Sequence, residues 1–396
     1  MERHEAVVSG AGPAGLAVAA MLKKRGFETI VLERSDAVAA RWRSRYDGLR
    51  LNTMRSFSSL PGRRIAKRYG RYPSRDDFVR YLEDYTADQG LDVRFGTALE
   101  RIDRGDQGKW TLQTSTGPLS ARYAVVATGY DAVPKLPKWP GREGFSGELI
   151  HAAEYRSPFS YADREVLIVG AGNTGIDIAG HLIEAGAKVA VAMRTAPNLF
   201  PRDWHGVPLQ PSAIPADYQP ARVGDALGRL MQRLIFGDLT TYGIPAAPDG
   251  FQTRFRTTLT GPAVDDGFVA ALKAGRTRVV ATVEAFEGDD VILADGSRLQ
   301  PDVVICATGY RRGLEPIVGD LGVLRPDGLP THPHAAPENP AAPRLYFAGF
   351  WGSPSGQIRL MPKHAKRIAR AAAKDRGGSE ALAAAPRFPD GRSASS

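Results

Sequence analysis

The sequence contains a single cysteine, Cys306, among its 396 residues. Disulfide scaffolds, dithiol redox pairs and thiolate zinc sites each need two or more sulfurs, so all three are excluded. A chain with one thiol fits a reducing compartment. We therefore expect a cytoplasmic protein without a metal site.

Long apolar segments are also missing. No uninterrupted apolar run reaches the roughly 18 to 20 residues that a membrane-spanning helix requires. The best candidate, residues 6–22, is broken by three glycines and a proline. Two acidic residues precede it, Glu2 and Glu5, which argues against a signal peptide. We expect no integral membrane segment.

The composition is that of a folded protein with an excess of positive charge. With 43% hydrophobic and 24% charged residues, a chain of this length can bury full-sized cores, and two domains are expected. The formal net charge is +9. This charge alone leaves nucleic acids, membrane surfaces and anionic small molecules as candidate partners.

A nucleotide-binding fingerprint lies near the N-terminus. The apolar run 6–8 leads into a turn that contains Gly10, Gly12 and Gly15, and a helix-period segment and the apolar run 29–32 follow. This order predicts strand, glycine-rich turn, helix and strand, a unit whose turn binds a pyrophosphate. The second strand ends on Glu33. A carboxylate there accepts hydrogen bonds from a ribose diol, which favours the adenosine half of FAD.

The fingerprint occurs a second time. An apolar run, 166–169, leads into a second turn, and a helix at 176–185 and a strand at 188–193 are predicted after it. The residues of this turn that we assign to NADP are Gly170, Gly172, Asn173, Thr174 and Gly175.

This second copy ends on Arg194 and Thr195 instead of an acid. A guanidinium suits the 2′-phosphate of NADP, with the Thr195 hydroxyl as a further donor. The alternative is a solvated arginine at a strand end. Two such fingerprints predict two bound dinucleotides, FAD and NADPH, with electron transfer between them.

Both copies continue into a short antiparallel stretch and a closing strand. These lie at 109–121 and 124–130 in the first copy, and at 291–299 and 303–310 in the second. The predicted fold is therefore α/β, with two Rossmann-like dinucleotide-binding domains, each with a three-layer βαβ core and an antiparallel β-meander.

The domain boundaries follow from the repeat. We assign residues 1–155 and 311–396 to the FAD-binding domain and residues 156–310 to the NADP-binding domain. The second copy is about twenty residues longer than the first, and we place the insertion in the proline-rich, aromatic stretch at about 197–262. The tail from Gly377 onward has no periodicity and is expected to fray.

Between the fingerprints lies a segment with a family pattern. Residues 145–155 read Phe-Ser-Gly-Glu-Leu-Ile-His-Ala-Ala-Glu-Tyr and match FxGxxxHxxxY at every fixed position. With this segment the chain resembles the class B flavin-dependent monooxygenases, and within them the plant YUCCA type, the indole-3-pyruvate monooxygenases, and its bacterial relatives. The resemblance covers about residues 5–372. Other shared segments are 31–35, 46–51, 72–74, 81–83, 307–310 and 365–369.

The resemblance implies an activity. NADPH would reduce FAD, and O₂ would add to the reduced flavin to give a C4a-(hydro)peroxyflavin that oxygenates a small organic substrate. The reaction could be oxidative decarboxylation of an aryl 2-oxo acid such as indole-3-pyruvate, or oxygenation of nitrogen or sulfur. Alternatives are a Baeyer–Villiger monooxygenase, whose family has tryptophan where this chain has Tyr155, and a non-oxygenating flavoprotein oxidoreductase.

The resemblance also implies site residues. Asn52 falls where microsomal-type members carry an asparagine near the reactive edge of the flavin, whereas plant enzymes tend to have histidine there. Asn52 is therefore the catalytic candidate, with an ordinary turn or cap residue as the alternative. His151 is interpreted as structural. The remaining candidates for FAD contacts are Arg34, Arg41, Trp42, Leu51, Gly349 and Gly356, of which Trp42 is equally compatible with a core position.

The insertion has its own pattern. Apolar residues recur at helical spacing between 222 and 236. A core-facing helix is the favoured interpretation, with a substrate tunnel or a membrane-surface contact as alternatives. Trp204 and His205 are candidate substrate contacts.

The positive charge is concentrated in residues 41–75, which hold eleven basic residues against one acid, Asp47. We expect part of this charge to face cofactor phosphates or to attract acidic substrates. The expected partners are therefore O₂ and a small molecule, preferably a carboxylate, and not nucleic acid. A homodimer is left open.

Overall fold

The computed structural model describes residues 1–332 and 339–384, and the side chains within them up to residue 378. The first part of the chain forms β1 (Glu2–Ser9), α1 (Pro13–Lys23), β2 (Thr29–Leu32), α2 (Ala40–Arg43), α3 (Arg75–Asp88), β3 (Asp92–Arg94), β4 (Leu99–Arg104), β5 (Trp110–Thr114) and β6 (Leu119–Val126). Next come β7 (Val133–Pro134), β8 (Glu148–His151), β9 (Glu165–Val169), α4 (Asn173–Glu184) and β10 (Lys188–Ala192).

The insertion begins after β10. It contains β11 (Leu199–Pro201), β12 (Asp203–Trp204), β13 (Val207–Pro208), α5 (Gln210–Ala216), α6 (Ala221–Phe236), α7 (Phe251–Thr258) and β14 (Ala263–Asp265). The chain continues with α8 (Phe268–Lys273), β15 (Thr277–Val280), β16 (Val283–Glu287), β17 (Asp290–Leu293), β18 (Arg298–Leu299), β19 (Val303–Cys306) and β20 (Tyr310–Arg311). It ends with α9 (Glu315–Val318), β21 (Leu345–Phe347) and α10 (Met361–Ala384).

The first sheet has the strand order β3-β2-β1-β6-β5-β4, and β21 also pairs with β6. The sequence predicts an antiparallel stretch that ends at residue 121 and a separate closing strand from residue 124, but residues 119–126 form one strand. Its first half pairs antiparallel with β5 and its second half pairs parallel with β21. One strand therefore both ends the meander and closes the parallel sheet. Helices α1 and α10 cover one face of the sheet and bury the first core.

The second sheet is parallel, in the order β15-β10-β9-β19-β8. The meander β16-β17-β18 is a separate antiparallel sheet and packs on one face of the parallel sheet, whereas α4 and α8 pack in the core on the other side. The Asp295-Gly296 turn joins β17 to β18, with Gly296 at φ +81°. The predicted α/β fold with two dinucleotide-binding units is confirmed.

The pairing of β8 corrects the predicted domain boundary at residue 155. This strand pairs with β19 at the edge of the second sheet, so the second unit begins before residue 148. The chain passes from one unit to the other twice. The two connecting segments pair with each other as the antiparallel strands β7 and β20. The parallel pairing of β11 with β14 closes the insertion at residues 263–265.

The tail prediction is wrong for part of its length. Residues 377–384 continue α10, whose earlier turns are anchored by buried Ala365, Ile368 and Ala372. A helix that is already nucleated by packing extends at little cost. Residues 385–396 lie outside the described part. Within that part, no helix is both long and apolar enough to cross a bilayer.

Candidate active site

The first glycine-rich turn connects β1 to α1, and its three glycines have different roles. A Cβ at Gly10 would lie 2.4 Å from the carbonyl oxygen of Ala127, and one at Gly15 would lie 1.9 Å from the carbonyl oxygen of Gly10. Both glycines are needed for packing. At Gly12 no atom of the described chain comes within 4 Å of a Cβ position. The missing side chain at Gly12 instead leaves room for a ligand.

In the second turn, too, two glycines are needed for packing and one faces open space. A Cβ at Gly170 would lie 2.5 Å from the carbonyl oxygen of Ala307, and one at Gly175 would lie 2.0 Å from that of Gly170. Gly172 again faces open space in the part of the protein described. The two turns therefore leave the same gap at the same position.

Each turn leads into a helix with unpaired N–H groups. The N-caps of α1 and α4 are Gly12 and Gly172, and neither provides a side-chain cap. The first turns of both helices contain no acidic residue. Free N–H groups and the positive end of the helix dipole suit a pyrophosphate. Both turns therefore fit the pyrophosphate of a dinucleotide, and their assignment to FAD and NADPH in that order stays a prediction.

The predicted ribose contacts lie beside these turns. The Glu33 carboxylate accepts hydrogen bonds from the backbone N–H groups of Ala11, at 2.9 Å, and Ser35, at 3.0 Å. It is therefore held against the first turn. Arg34 is exposed next to it.

Arg194 lies two residues beyond the end of β10 and is exposed, with Thr195 half-buried beside it. Among the side chains described, Arg194 has no carboxylate within 4.0 Å. Its guanidinium is therefore available to an anionic ligand, which is what the prediction of a 2′-phosphate contact requires.

Arg41 and Trp42 lie on α2. The Arg41 Nη2 donates to the carbonyl oxygen of Asp131 at 2.9 Å, while its Nε is buried and has no partner within the described residues. Burial lowers the pKa of Arg41. The ring of Trp42 packs edge-to-face on Phe78, with centroids 4.8 Å apart, and also lines the main cavity. Trp42 therefore packs on the core and borders the cavity, and its contact with FAD stays a prediction.

A cavity of about 860 Å³ lies between the two nucleotide-binding units and the insertion. Predicted site residues that line it include Trp42, Leu51, Asn52, Asn173 and Thr174. Gly356 also lines it, and a Cβ there would lie 2.4 Å from Cγ2 of Thr53. Gly349, at φ +85°, is not part of the lining; a Cβ there would lie 2.9 Å from Cβ of Ala14 at the start of α1.

Asn52 joins the two nucleotide-binding units. Its Nδ2 donates to Oδ1 of Asn173 at 3.0 Å, and Nη2 of Arg202 donates to its Oδ1 at 3.3 Å. A guanidinium can only donate, so the Asn52 amide has one orientation. Its second amide hydrogen remains available to a ligand in the cavity.

Arg202 is a site residue that the sequence did not predict. Its side chain is 9% exposed, pairs with Asp266 at 2.5 Å and stacks over the ring of Tyr72. The neighbouring Trp204 lines the cavity, whereas His205 packs against Trp204, with ring centroids 5.2 Å apart. The only sequence signal for Arg202 is its position beside Trp204 in the insertion.

Gln210 of α5 ties the insertion to the first unit. Its Nε2 donates to the carbonyl oxygen of Ser355 at 2.7 Å, and its Oε1 accepts from the backbone N–H of Met54 at 2.6 Å. Both bonds anchor α5 to the first unit beside the cavity.

Two fixed residues of the 145–155 pattern, His151 and Tyr155, make structural contacts. His151 accepts from the Ala153 N–H at Nδ1, at 3.0 Å, and bonds the carbonyl oxygen of Gly309 through Nε2, at 3.1 Å. Burial lowers its pKa, so the neutral ring is favoured. Tyr155 is fully buried and packs between the rings of Tyr46 and Tyr161.

The core-facing interpretation of the helix at 222–236 is wrong. Helix α6 buries Gly224, Asp225, Gly228 and, at its last residue, Phe236, and the aromatic ring of Phe251 on α7 packs closely over Gly228. The carboxylate of Asp225 accepts from the backbone N–H of Gln252 at 2.8 Å. Because the small and polar side of α6 faces the protein, its apolar row lies toward the cavity mouth and solvent.

The positive stretch is less charged than its sequence suggests. Five of its arginines pair with acids, in the pairs Arg43–Glu83, Arg45–Asp131, Arg63–Asp84, Arg71–Asp203 and Arg75–Asp47. Four of these acids lie outside the stretch in sequence. Much of the local +10 is therefore neutralised.

Two dinucleotide-binding turns define a two-nucleotide oxidoreductase, and the second turn also borders the cavity through Asn173 and Thr174. The profile of the pyridine nucleotide-disulphide oxidoreductase family matches residues 7–211. Indole-3-pyruvate monooxygenase YUCCA1 of rice (Oryza sativa subsp. japonica) is 36% identical over 323 residues, which cover 81% of this chain and 80% of that protein.

Solved structures show the same fold. A mutant of the flavin monooxygenase from Stenotrophomonas maltophilia superposes with a TM-score of 0.73 at 22% identity, over 95% of this chain and 99% of that one. An ε-caprolactone-bound cyclohexanone monooxygenase gives a TM-score of 0.72 at 20% identity, over 97% and 89%.

The chain belongs to the family of the YUCCA-type indole-3-pyruvate monooxygenases. It is a flavin-dependent monooxygenase with the cofactors FAD and NADPH. Bound FAD, once reduced, supplies the chemistry that activates O₂. The residues of the chain bind, orient and shield the reacting groups.

Proposed function

We propose that this enzyme oxidatively decarboxylates an aryl 2-oxo acid such as indole-3-pyruvate. One 2-oxo acid anion, O₂, NADPH and H⁺ give the acid anion shorter by one carbon, CO₂, NADP⁺ and H₂O. The observation that carries the proposal is the 36% identity to an indole-3-pyruvate monooxygenase over four-fifths of both chains.

The cavity supports this substrate class by its chemistry. Its wall includes the aromatic residues Trp42, Phe200 and Phe350, which suit a planar aryl ring. Arg50 also lines it and donates to the carbonyl oxygen of Tyr72 at 3.3 Å. No carboxylate among the described side chains pairs with Arg50, so its guanidinium can bind a substrate carboxylate.

The direct test measures coupling with three substrates. Purified enzyme receives NADPH and air-saturated buffer with indole-3-pyruvate, with a thioether or with a cyclic ketone. We expect equal amounts of NADPH oxidised, CO₂ released and aryl acid formed with the 2-oxo acid, and mainly peroxide with the other two. Tight coupling to a sulfoxide in place of the acid would contradict the decarboxylation and support oxygenation of nitrogen or sulfur.

A Baeyer–Villiger activity is the second candidate, because cyclohexanone monooxygenase has the same fold. Tyr155, the residue that distinguishes this chain from that family, is buried between Tyr46 and Tyr161 and not in the cavity wall. It therefore marks the family without contacting a substrate in the cavity. Lactone formation from the ketone, coupled to NADPH oxidation, would support this candidate.

Asn52→Asp is expected to uncouple the reaction. The substitution keeps the size of the side chain but replaces the amide donor by a carboxylate that faces Oδ1 of Asn173. We expect product per NADPH to fall about tenfold, the loss that corresponds to one hydrogen bond of about 1.4 kcal/mol. Each product molecule lost should be replaced by one molecule of peroxide. The FAD content should not change. Gln232→Glu, the same chemical change outside the cavity wall, is the control, and unchanged coupling in Asn52→Asp would remove Asn52 from the reaction.

We further propose that the enzyme works in the cytoplasm. The lone thiol of Cys306 is buried, and burial raises its pKa to about 12, so it is unreactive. A homodimer remains a prediction that light scattering would check.

A further inference from the structure

Helix α6 presents an apolar row to solvent. Val223 is 46% exposed, Leu227 and Leu230 are each 56% exposed, and Leu234 is 69% exposed. Their spacing of four, three and four residues places them on one face of the helix. Soluble surfaces rarely keep four neighbouring aliphatic side chains in water, so this face indicates a contact with another apolar phase.

Arginines follow one edge of this row. Arg222, Arg229 and Arg233 are exposed and lie at the spacing that aligns them along the helix. The acid in α6, Asp225, is on the opposite, buried side, where it bonds Gln252 and Thr253 of α7. The exposed side of α6 is therefore apolar in the middle and purely cationic at its edge.

A second element extends the apolar surface. The hairpin of β12 and β13 exposes Trp204 and Val207, and Nη1 of Arg71 bonds the carbonyl oxygen of Gly206 at its tip, at 3.0 Å. Trp204 lines the same cavity as Leu227, Leu230 and Leu234. We call the six residues of this surface the apolar rim; they are Trp204, Val207, Val223, Leu227, Leu230 and Leu234.

We propose that the apolar rim docks on the surface of an anionic lipid bilayer, with the cavity mouth toward the lipid. Leucine and tryptophan side chains enter the boundary between head groups and acyl chains, while arginines beside them reach the phosphates. A second copy of the chain is a poorer occupant. A symmetric pair would bring both arginine rows to one interface, and α6 supplies no exposed acid to meet them.

Docking in this position has a consequence for the substrate. An apolar substrate dissolved in the bilayer would pass from lipid into the cavity along the leucines of α6, whereas an anionic 2-oxo acid would enter from water. The inference rests on surface exposure and charge and is independent of which substrate the enzyme oxidises.

The test is cosedimentation of the full-length holoenzyme with vesicles. One set of vesicles contains phosphatidylcholine only, and the other contains equal parts phosphatidylcholine and phosphatidylglycerol. We expect binding to the second set that weakens with salt. The double variant Leu227→Gln, Leu234→Gln should bind at least about tenfold more weakly, because it removes apolar contact without changing charge. The variant Arg229→Gln, Arg233→Gln should lose about fivefold for each arginine.

Phe159→Gln is the matched control. Phe159 is 81% exposed in the 3-10 turn Pro158–Tyr161, outside the apolar rim, and its replacement should leave vesicle binding unchanged. Melting temperature and FAD content report on the folding of every variant. Binding that the leucine replacements do not change, or no binding to anionic vesicles, would overturn the proposal. So would a dimer of the wild type that the same leucine replacements dissociate.

Discussion

Gly12→Ala is expected to fold normally and to lose FAD. A methyl group at this position meets no atom of the described chain within 4 Å, and the backbone, at φ −86° and ψ 177°, is accessible to any residue. The methyl group instead occupies the space beside the N–H groups that the pyrophosphate needs. We expect the Kd for FAD to rise about 100-fold, equivalent to nearly 3 kcal/mol, the upper range for leaving a polar group without its partners.

Gly15→Ala is the matched comparison for this prediction. Its Cβ would lie 1.9 Å from a backbone oxygen, so this alanine should destabilise the apoprotein by about 1 to 3 kcal/mol. Both variants are compared as apoproteins, because bound FAD itself raises stability. Melting temperature measures folding, and titration with FAD measures affinity. Equal destabilisation of the two apoproteins would show that Gly12 is also a packing residue.

Arg194→Ala is expected to change the choice of reduced nucleotide. The guanidinium is exposed beside the second turn without an acidic partner in the described part of the chain, and a 2′-phosphate would bond it with charge-assisted hydrogen bonds. Such bonds contribute about 1.5 to 3 kcal/mol, so kcat/KM for NADPH should fall about 10- to 150-fold. The value for NADH, which has no 2′-phosphate, should change less than about threefold.

The control for this variant is Arg278→Ala. Arg278 is an exposed arginine on β15, the strand next to β10, so the substitution removes the same charge nearby. It should affect both nucleotides slightly and equally. A parallel fall for NADPH and NADH in Arg194→Ala would contradict a phosphate contact and indicate a general effect on the site.

The features that local sequence encodes were predictable. A glycine-rich turn, the apolar strand before it and the helix after it lie within about thirty residues, so their periodicity and turn chemistry are readable without the rest of the fold. The same holds for the residues that follow each second strand, Glu33 and Arg194. The sequence also indicated that His151 is structural.

Other features depend on residues that are far apart in the chain. Asn52 meets Asn173 across 121 residues, and Arg202 reaches Asn52 across 150. The strand Glu148–His151 joins the second sheet because its partner is β19, more than 150 residues later. Periodicity carries no information about such partners.

The sequence by itself therefore determined that this chain folds around two dinucleotides, since each binding turn is a local unit and the single cysteine excludes dithiol chemistry. Only the tertiary structure decided which glycine of each turn faces the ligand, because the crowding carbonyls at Ala127 and Ala307 belong to distant strands. It also decided which side of α6 is exposed. The sequence of α6 would allow either side of the helix to face the protein. Because α7 packs on Gly228 and Asp225, the opposite side with the leucines is exposed.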